Sequence, residues 1–313
     1  MSSPKKILTA ALAVLSITAC QDPKPGPQAV IPSKVISQPI ARVVELRDAG
    51  APITIAPPEV APVDVLAIAH DSPGVDHLGR ARQLSSDGDV KGALLEARRA
   101  LFTTPSDVET LGTVAKLSRR AGQPALSAEA WGRVAALTGD DALPLIQQAR
   151  ALLQVKDYPG AVMAGREAIV RDPGNVEAFQ VTGIAQLAMN ELGGAIASFE
   201  KAVELAPDHG WALNNLGFAC LRANKNERAV TALEHAAELL PHVAYVHNNL
   251  GVALERVGRG DEAKAAYQQS MDLSPKYVKA RINAARVAKV SAPLEEPQID
   301  ESMSDLPHPM PEQ

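Results

Sequence analysis

The side chains best suited to chemistry in this chain are amides and aromatics that recur at one spacing. Asn214-Asn215 and Asn248-Asn249 stand 34 residues apart, and Asn283 follows Asn249 by 34 again. A carboxamide both donates and accepts. A row of them can therefore grip the backbone of an extended chain, or bond neighbouring elements of the same protein to one another. Trp211 and Tyr245, also 34 apart, and Phe218 are three of only ten aromatics in 313 residues. Aromatic anchors in a concave site can supply much of the binding energy for a partner, although these rings could equally pack against a preceding element. No other chemistry competes. The seven histidines are scattered, and His242 and His247, five apart, lack metal-ligand spacing on one helix face. There is no Gly-rich phosphate loop or nucleophile elbow. Glu200, Glu204, Glu234 and Glu238 fit solvated helix faces better than paired catalytic carboxylates. The expectation is a chain that is not an enzyme, with no catalytic residue, metal, cofactor or small-molecule substrate.

The elements that must position these residues follow from the same period. Ala81, Ala115, Ala149, Gly183, Gly217 and Gly251 are each 34 apart, and Ala93, Ser127, Ala161, Ala195, Ala229 and Ala263 follow by twelve. Seven further on stand Ala100, Val134, Ala168, Ala202, Ala236 and Ser270, and the units close at Pro105, Gly139, Pro173, Pro207, Pro241 and Pro275. Within one unit the apolar residues Leu213, Leu216, Ala219, Cys220 and then Val230, Leu233, Ala236, Ala237, Leu240 fall at helical spacing in two blocks. Each unit is thus two helices, too small to bury its own apolar face, so copies must stack. Small residues let the pair approach closely, while Leu216, Leu233, Phe199 and Tyr267 fill the space between.

Leu216-Gly217, Ala229, Leu233, Ala236 and Pro241 resemble the tetratricopeptide repeat, as do Phe179, Gly183, Ala195, Phe199, Ala202 and Pro207. The resemblance covers 74–290. It implies an all-α superhelical solenoid of about six helix-turn-helix repeats, starting near 74, 108, 142, 176, 210 and 244, with a capping helix at 278–290. In the first three units Gly139 replaces the closing proline and Gly165 takes a large-residue position. In the resembled family the first helices line a concave face that binds peptides or partner helices. Carried over, the candidate partner-binding residues are Trp211, Asn214, Asn215, Phe218, Tyr245, Asn248, Asn249, Val252, Asn283 and Arg286. The lysine and arginine clamp of the chaperone-tail receptors is missing, since Asn214 and Asn248 stand where lysine would be.

Outside the repeats the composition changes. Residues 21–73 hold ten prolines and 291–313 hold five, which predicts a flexible linker and a disordered tail. Apolar patches at 40–46 and 63–69 could form transient structure, or could dock on the repeats and cover their groove. Residues 1–19 read as a signal peptide: Lys5 and Lys6, then an apolar run of thirteen, short of the roughly 20 that span a bilayer. Ile17-Thr18-Ala19-Cys20 resembles the bacterial lipobox, which implies a lipid (palmitate-bearing) anchor on Cys20. Gln21, with Asp22 only one further on, resembles an outer-membrane rather than an inner-membrane sorting signal. The implied location is the cell envelope, facing the periplasm. Without residues 1–19 the net charge moves from −5 to −7, which gives no case for nucleic acid. The resemblance extends to the pilotin-like lipoproteins of type IV pilus assembly. It implies a protein-binding scaffold, or else an accessory subunit of a secretion, pilus or peptidoglycan-processing machine.

Overall fold

The computed structural model describes residues 64–70, 72–288 and 299. The signal peptide, Cys20, the linker before residue 64 and all of the 291–313 tail except Ile299 lie outside the described residues.

Thirteen α-helices follow one another, with no strand among the described residues. The first helices of the six pairs are α1 (His77–Ser86), α3 (Val108–Arg120), α5 (Leu143–Gln154), α7 (Val176–Ala188), α9 (Gly210–Arg222) and α11 (Ala244–Arg256). Their second helices are α2 (Val90–Thr103), α4 (Pro124–Leu137), α6 (Tyr158–Arg171), α8 (Leu192–Leu205), α10 (Asn226–Leu239) and α12 (Gly260–Leu273). The cap is α13 (Val278–Ala288). Each helix packs mainly on the helices before and after it in the chain, the contact pattern of a solenoid.

The period is visible in the coordinates. The lattice residues Ala81, Ala115, Ala149, Ala93, Ser127, Ala161, Ala195, Ala229 and Ala263 are fully buried between paired helices. The Ser127 hydroxyl satisfies itself by donating to the Ala115 carbonyl at 2.9 Å. Phe199, Leu233 and Tyr267 are also fully buried, each facing the glycine of its own repeat, Gly183, Gly217 or Gly251. Gly165, which holds the large-residue position of repeat 3, lies instead directly against Thr182 of the next repeat. The prolines act as starters: Pro124, Pro144 and Pro159 sit in the first turns of α4, α5 and α6, where an N–H has no partner in the helix to lose. Asp76, Asp89, Asp107 and Asp157 cap α1, α2, α3 and α6 by accepting from backbone N–H groups. The Thr110 hydroxyl, followed by its N–H, holds the Asp107 carboxyl below the ordinary carboxylate value.

A second lattice emerges in the turns inside each pair. Residues 88, 122, 156, 190, 224 and 258, again 34 apart, all take positive φ, between 55° and 86°. Glycine holds three of these places, asparagine two and Lys156 one. The left-handed conformation lets the chain reverse within three residues between antiparallel helices.

Residues 64–70, within the stretch read as linker, pack against the first two repeats. Leu66 is fully buried in their core. The Ile68 N–H donates to the Arg98 carbonyl at 3.0 Å, and the Arg98 guanidinium donates back to the Leu66 and Val65 carbonyls, both at 2.9 Å. Asp64 pairs with Arg133 at 2.8 Å. Arg98 and Arg133 belong to the second helices α2 and α4, so this strap lies away from the groove lined by first helices. His70 ends the strap with its ring 4.2 Å from that of His77, and His77 Nδ1 is 2.6 Å from Glu96 Oε2.

Candidate partner groove

The first helices α7, α9 and α11 bring the sequence-predicted residues into one row. Trp211 and Tyr245 occupy equivalent places in consecutive repeats, and their rings stack with centroids 5.9 Å apart and planes 29° from parallel. Both are half-buried, and Tyr245 also packs beside Leu213, Ala236 and Val246. Ala236 belongs to α10, so part of the tyrosine ring rests on the preceding second helix.

The amides form the ladder that their spacing suggests, and it runs between repeats. Asn283 Nδ2 donates to Asn248 Oδ1 at 2.9 Å, and Asn248 Nδ2 to Asn249 Oδ1 at 3.3 Å. One repeat earlier, Asn214 Nδ2 donates to Asn215 Oδ1 at 3.4 Å, and Asn215 Nδ2 to Gln180 Oε1 at 3.4 Å. All five asparagines are buried. A buried amide must find partners inside the protein, and these amides find several of them in each other. The ladder therefore ties the first helices of consecutive repeats together. The Asn214 oxygen, buried and with no hydrogen-bond partner, is the acceptor this network leaves open.

Phe218 and Val252 sit one turn further along α9 and α11 and are fully buried members of the main core cluster. Arg286 of the cap forms a bidentate ion pair with Glu255, both side chains more than four-fifths buried. The Tyr267 hydroxyl donates to the same carboxylate at 2.8 Å. Burial, aided by that carboxylate, pushes the Tyr267 phenol far above its ordinary value, while the Glu255 bond raises Arg286. Arg286 is thus a lock between repeat 6 and the cap. Sequence reasoning treats Tyr267 only as a space-filler, yet a buried phenol needs a hydroxyl partner, and Glu255, twelve residues before it, is that partner.

The groove differs along its length. In repeat 2 the positions that face it, Glu109, Lys116 and Arg119, are exposed. In α7, α9 and α11 no residue is exposed on any side. No group of three or more His, Cys, Asp or Glu side chains able to hold a metal occurs among the described residues. Nor is any described helix long and apolar enough to cross a membrane.

Family models of the tetratricopeptide repeat match residues 146–210, 186–250 and 244–277. The fold is a tetratricopeptide-repeat solenoid. Among solved structures, PilF of Pseudomonas aeruginosa is similar with a TM-score of 0.54 at 19% identity, over 67% of this chain and 95% of that one. Cut9, from its complex with Hcn1, gives 0.53 at 16% identity, over 67% and 42% of the two chains. MamA of Desulfovibrio magneticus gives 0.50 at 23% identity, over 54% and 96%. At such identities the likeness is one of fold. No curated protein sequence matches the chain.

Proposed function

We propose that this protein is a non-enzymatic scaffold, tethered in the bacterial envelope by a lipid on Cys20, whose concave face in repeats 4 to 6 holds an extended segment of a partner protein. The observation that carries this reading is the Trp211–Tyr245 stack. Two large aromatic rings at matching places of consecutive first helices present a continuous apolar step beside a row of amides. A binding groove needs such a combination: ring surface for energy, and nearby polar groups for orientation. Envelope placement rests on the run before Cys20 and its likeness to a lipobox, and faces the periplasm at the outer membrane. From that position the scaffold would assist assembly of an envelope complex, in the manner the pilotin-like resemblance implies.

The test is in-cell crosslinking and capture with the chain carrying Trp211→Ala and Tyr245→Ala. Loss of one hot-spot residue costs at least about 2 kcal/mol, roughly thirtyfold in affinity. Captured proteins should therefore disappear while the helical circular dichroism holds. Unchanged capture removes this face from consideration. Secretin subunits among the captured proteins would support the pilus role, and murein synthases or hydrolases the peptidoglycan role. Cys20→Ser should release the chain from membranes, and a variant that stays wholly membrane-bound refutes the anchor.

A further inference from the structure

Helices α7, α9 and α11 have neighbours on three sides: the second helix of their own repeat, that of the preceding repeat, and the flanking first helices. The fourth side is the concave face. In an open solenoid it would show a stripe of exposed residues, as Glu109, Lys116 and Arg119 do on α3. Yet α9 and α11 show none, and Phe218, Val252, Asn214 and Asn248 on that side are fully buried. Something belonging to the chain covers them.

Ile299 identifies the cover. It lies eleven residues beyond the end of α13, is half-buried, and packs against the core cluster that contains Phe218 and Val252. Geometry allows this placement. The chain leaves the cap at the C-terminal end of the same groove, and eleven residues extend to about 36 Å. Packed helices lie about 10 Å apart, so the segment can run past α11, α9 and α7. Its composition suits an extended ligand: Pro293 and Pro297 favour open backbone, and Leu294 and Ile299 supply apolar side chains.

We infer that the C-terminal segment of this chain, residues 289–313, occupies the concave face of repeats 4 to 6 with Ile299 as its anchor. A partner then binds only by displacing it. This rests on the reading of that face as a partner groove and names its resident competitor. Tethering gives the segment an effective concentration of about a millimolar, so even a weak intrinsic affinity keeps the groove filled until a stronger ligand arrives.

The experiment uses the full mature chain, the same chain with Ile299→Asp, and a fluorescein-labelled synthetic peptide of residues 291–306, read by anisotropy. The charged side chain weakens the tethered competitor. The Ile299→Asp chain should therefore bind the labelled peptide about tenfold more tightly than wild type, as expected for a peptide Kd near 100 µM facing about a millimolar of tethered competitor. Hydroxyl-radical modification of Trp211 and Tyr245 should rise severalfold in the variant. Equal binding by both chains, or none to either, overturns the inference. A wild-type dimer that Ile299→Asp dissociates in sedimentation also overturns it, by assigning the cover to a second copy. Adding Trp211→Ala and Tyr245→Ala to the Ile299→Asp chain separates the two proposals. Lost peptide binding with intact partner capture retires the partner groove alone. Tight peptide binding by Ile299→Asp with no gain in partner capture supports tail docking and places the partner elsewhere.

Discussion

The glycine lattice makes a prediction whose sign depends on the neighbour and not on the residue. Gly251 lies in the middle of α11, where glycine costs about 1 kcal/mol of helix stability relative to alanine. Judged by propensity alone, Gly251→Ala should stabilise. The packing says otherwise. A Cβ at residue 251 would lie 2.5 Å from Cε1 and 2.6 Å from Cδ1 of Tyr267. That ring cannot retreat easily, since it is fully buried and its hydroxyl is held by Glu255. Overpacking of this kind costs about 1–3 kcal/mol, and three ring atoms within 3.0 Å place it in the upper half of that range. After the propensity gain, Gly251→Ala should lose about 1–2 kcal/mol. Gly112, in the middle of α3, has nothing within 4 Å of the corresponding point. Gly112→Ala should therefore gain about 0.5–1 kcal/mol. Urea melts of the two variants, followed by circular dichroism, should separate by about 2–3 kcal/mol. Because repeats can melt separately, hydrogen exchange of α11 and α3 provides the local reading. A Gly251→Ala chain as stable as Gly112→Ala would refute the close-packing argument for the whole lattice.

Two further outcomes follow from single residues. Lys156 holds φ at 63° where glycine stands in three other repeats, so Lys156→Gly should stabilise the chain by about 0.5–1 kcal/mol, and a measured loss in thermal unfolding would count against strain at this turn. The Asp64 carboxyl is held below its ordinary 3.8, chiefly by the Arg133 hydrogen bond and against the opposing effect of burial; a depressed folded-state value means that this contact is fully stabilising above pH 3.8 and fades as pH falls through the lower value. Hydrogen exchange at residues 65–70 should thus accelerate only under acid in the native chain and at every pH in Asp64→Asn, and equal protection in both chains at pH 6 would exclude the pair as the latch.

Much of this architecture was legible because a stacked repeat writes its contacts into the chain at a constant interval. The second helices begin at 90, 124, 158, 192, 226 and 260 without a slip, and the alanines that specify close approach lie where their spacing places them. The turn lattice was harder to read. Its requirement is a backbone angle, which glycine, asparagine and even lysine can meet, so no single residue type marks it. The site was legible in direction and not in occupancy. Periodicity correctly brings Trp211 beside Tyr245 and Asn283 beside Asn248, because the same interval separates them along the stack. It says nothing of what lies against them from outside the period, and Ile299, in a proline-rich segment with no repeat of its own, carries no periodic mark. The amide ladder shows the consequence. Its members are buried and bonded between repeats, so the same asparagines that set the register of α9, α11 and α13 would have to exchange partners before gripping another backbone. Partner binding at this face should therefore loosen the junctions between repeats 5, 6 and the cap, and coupling of that kind reaches the rest of the solenoid through nearest neighbours alone.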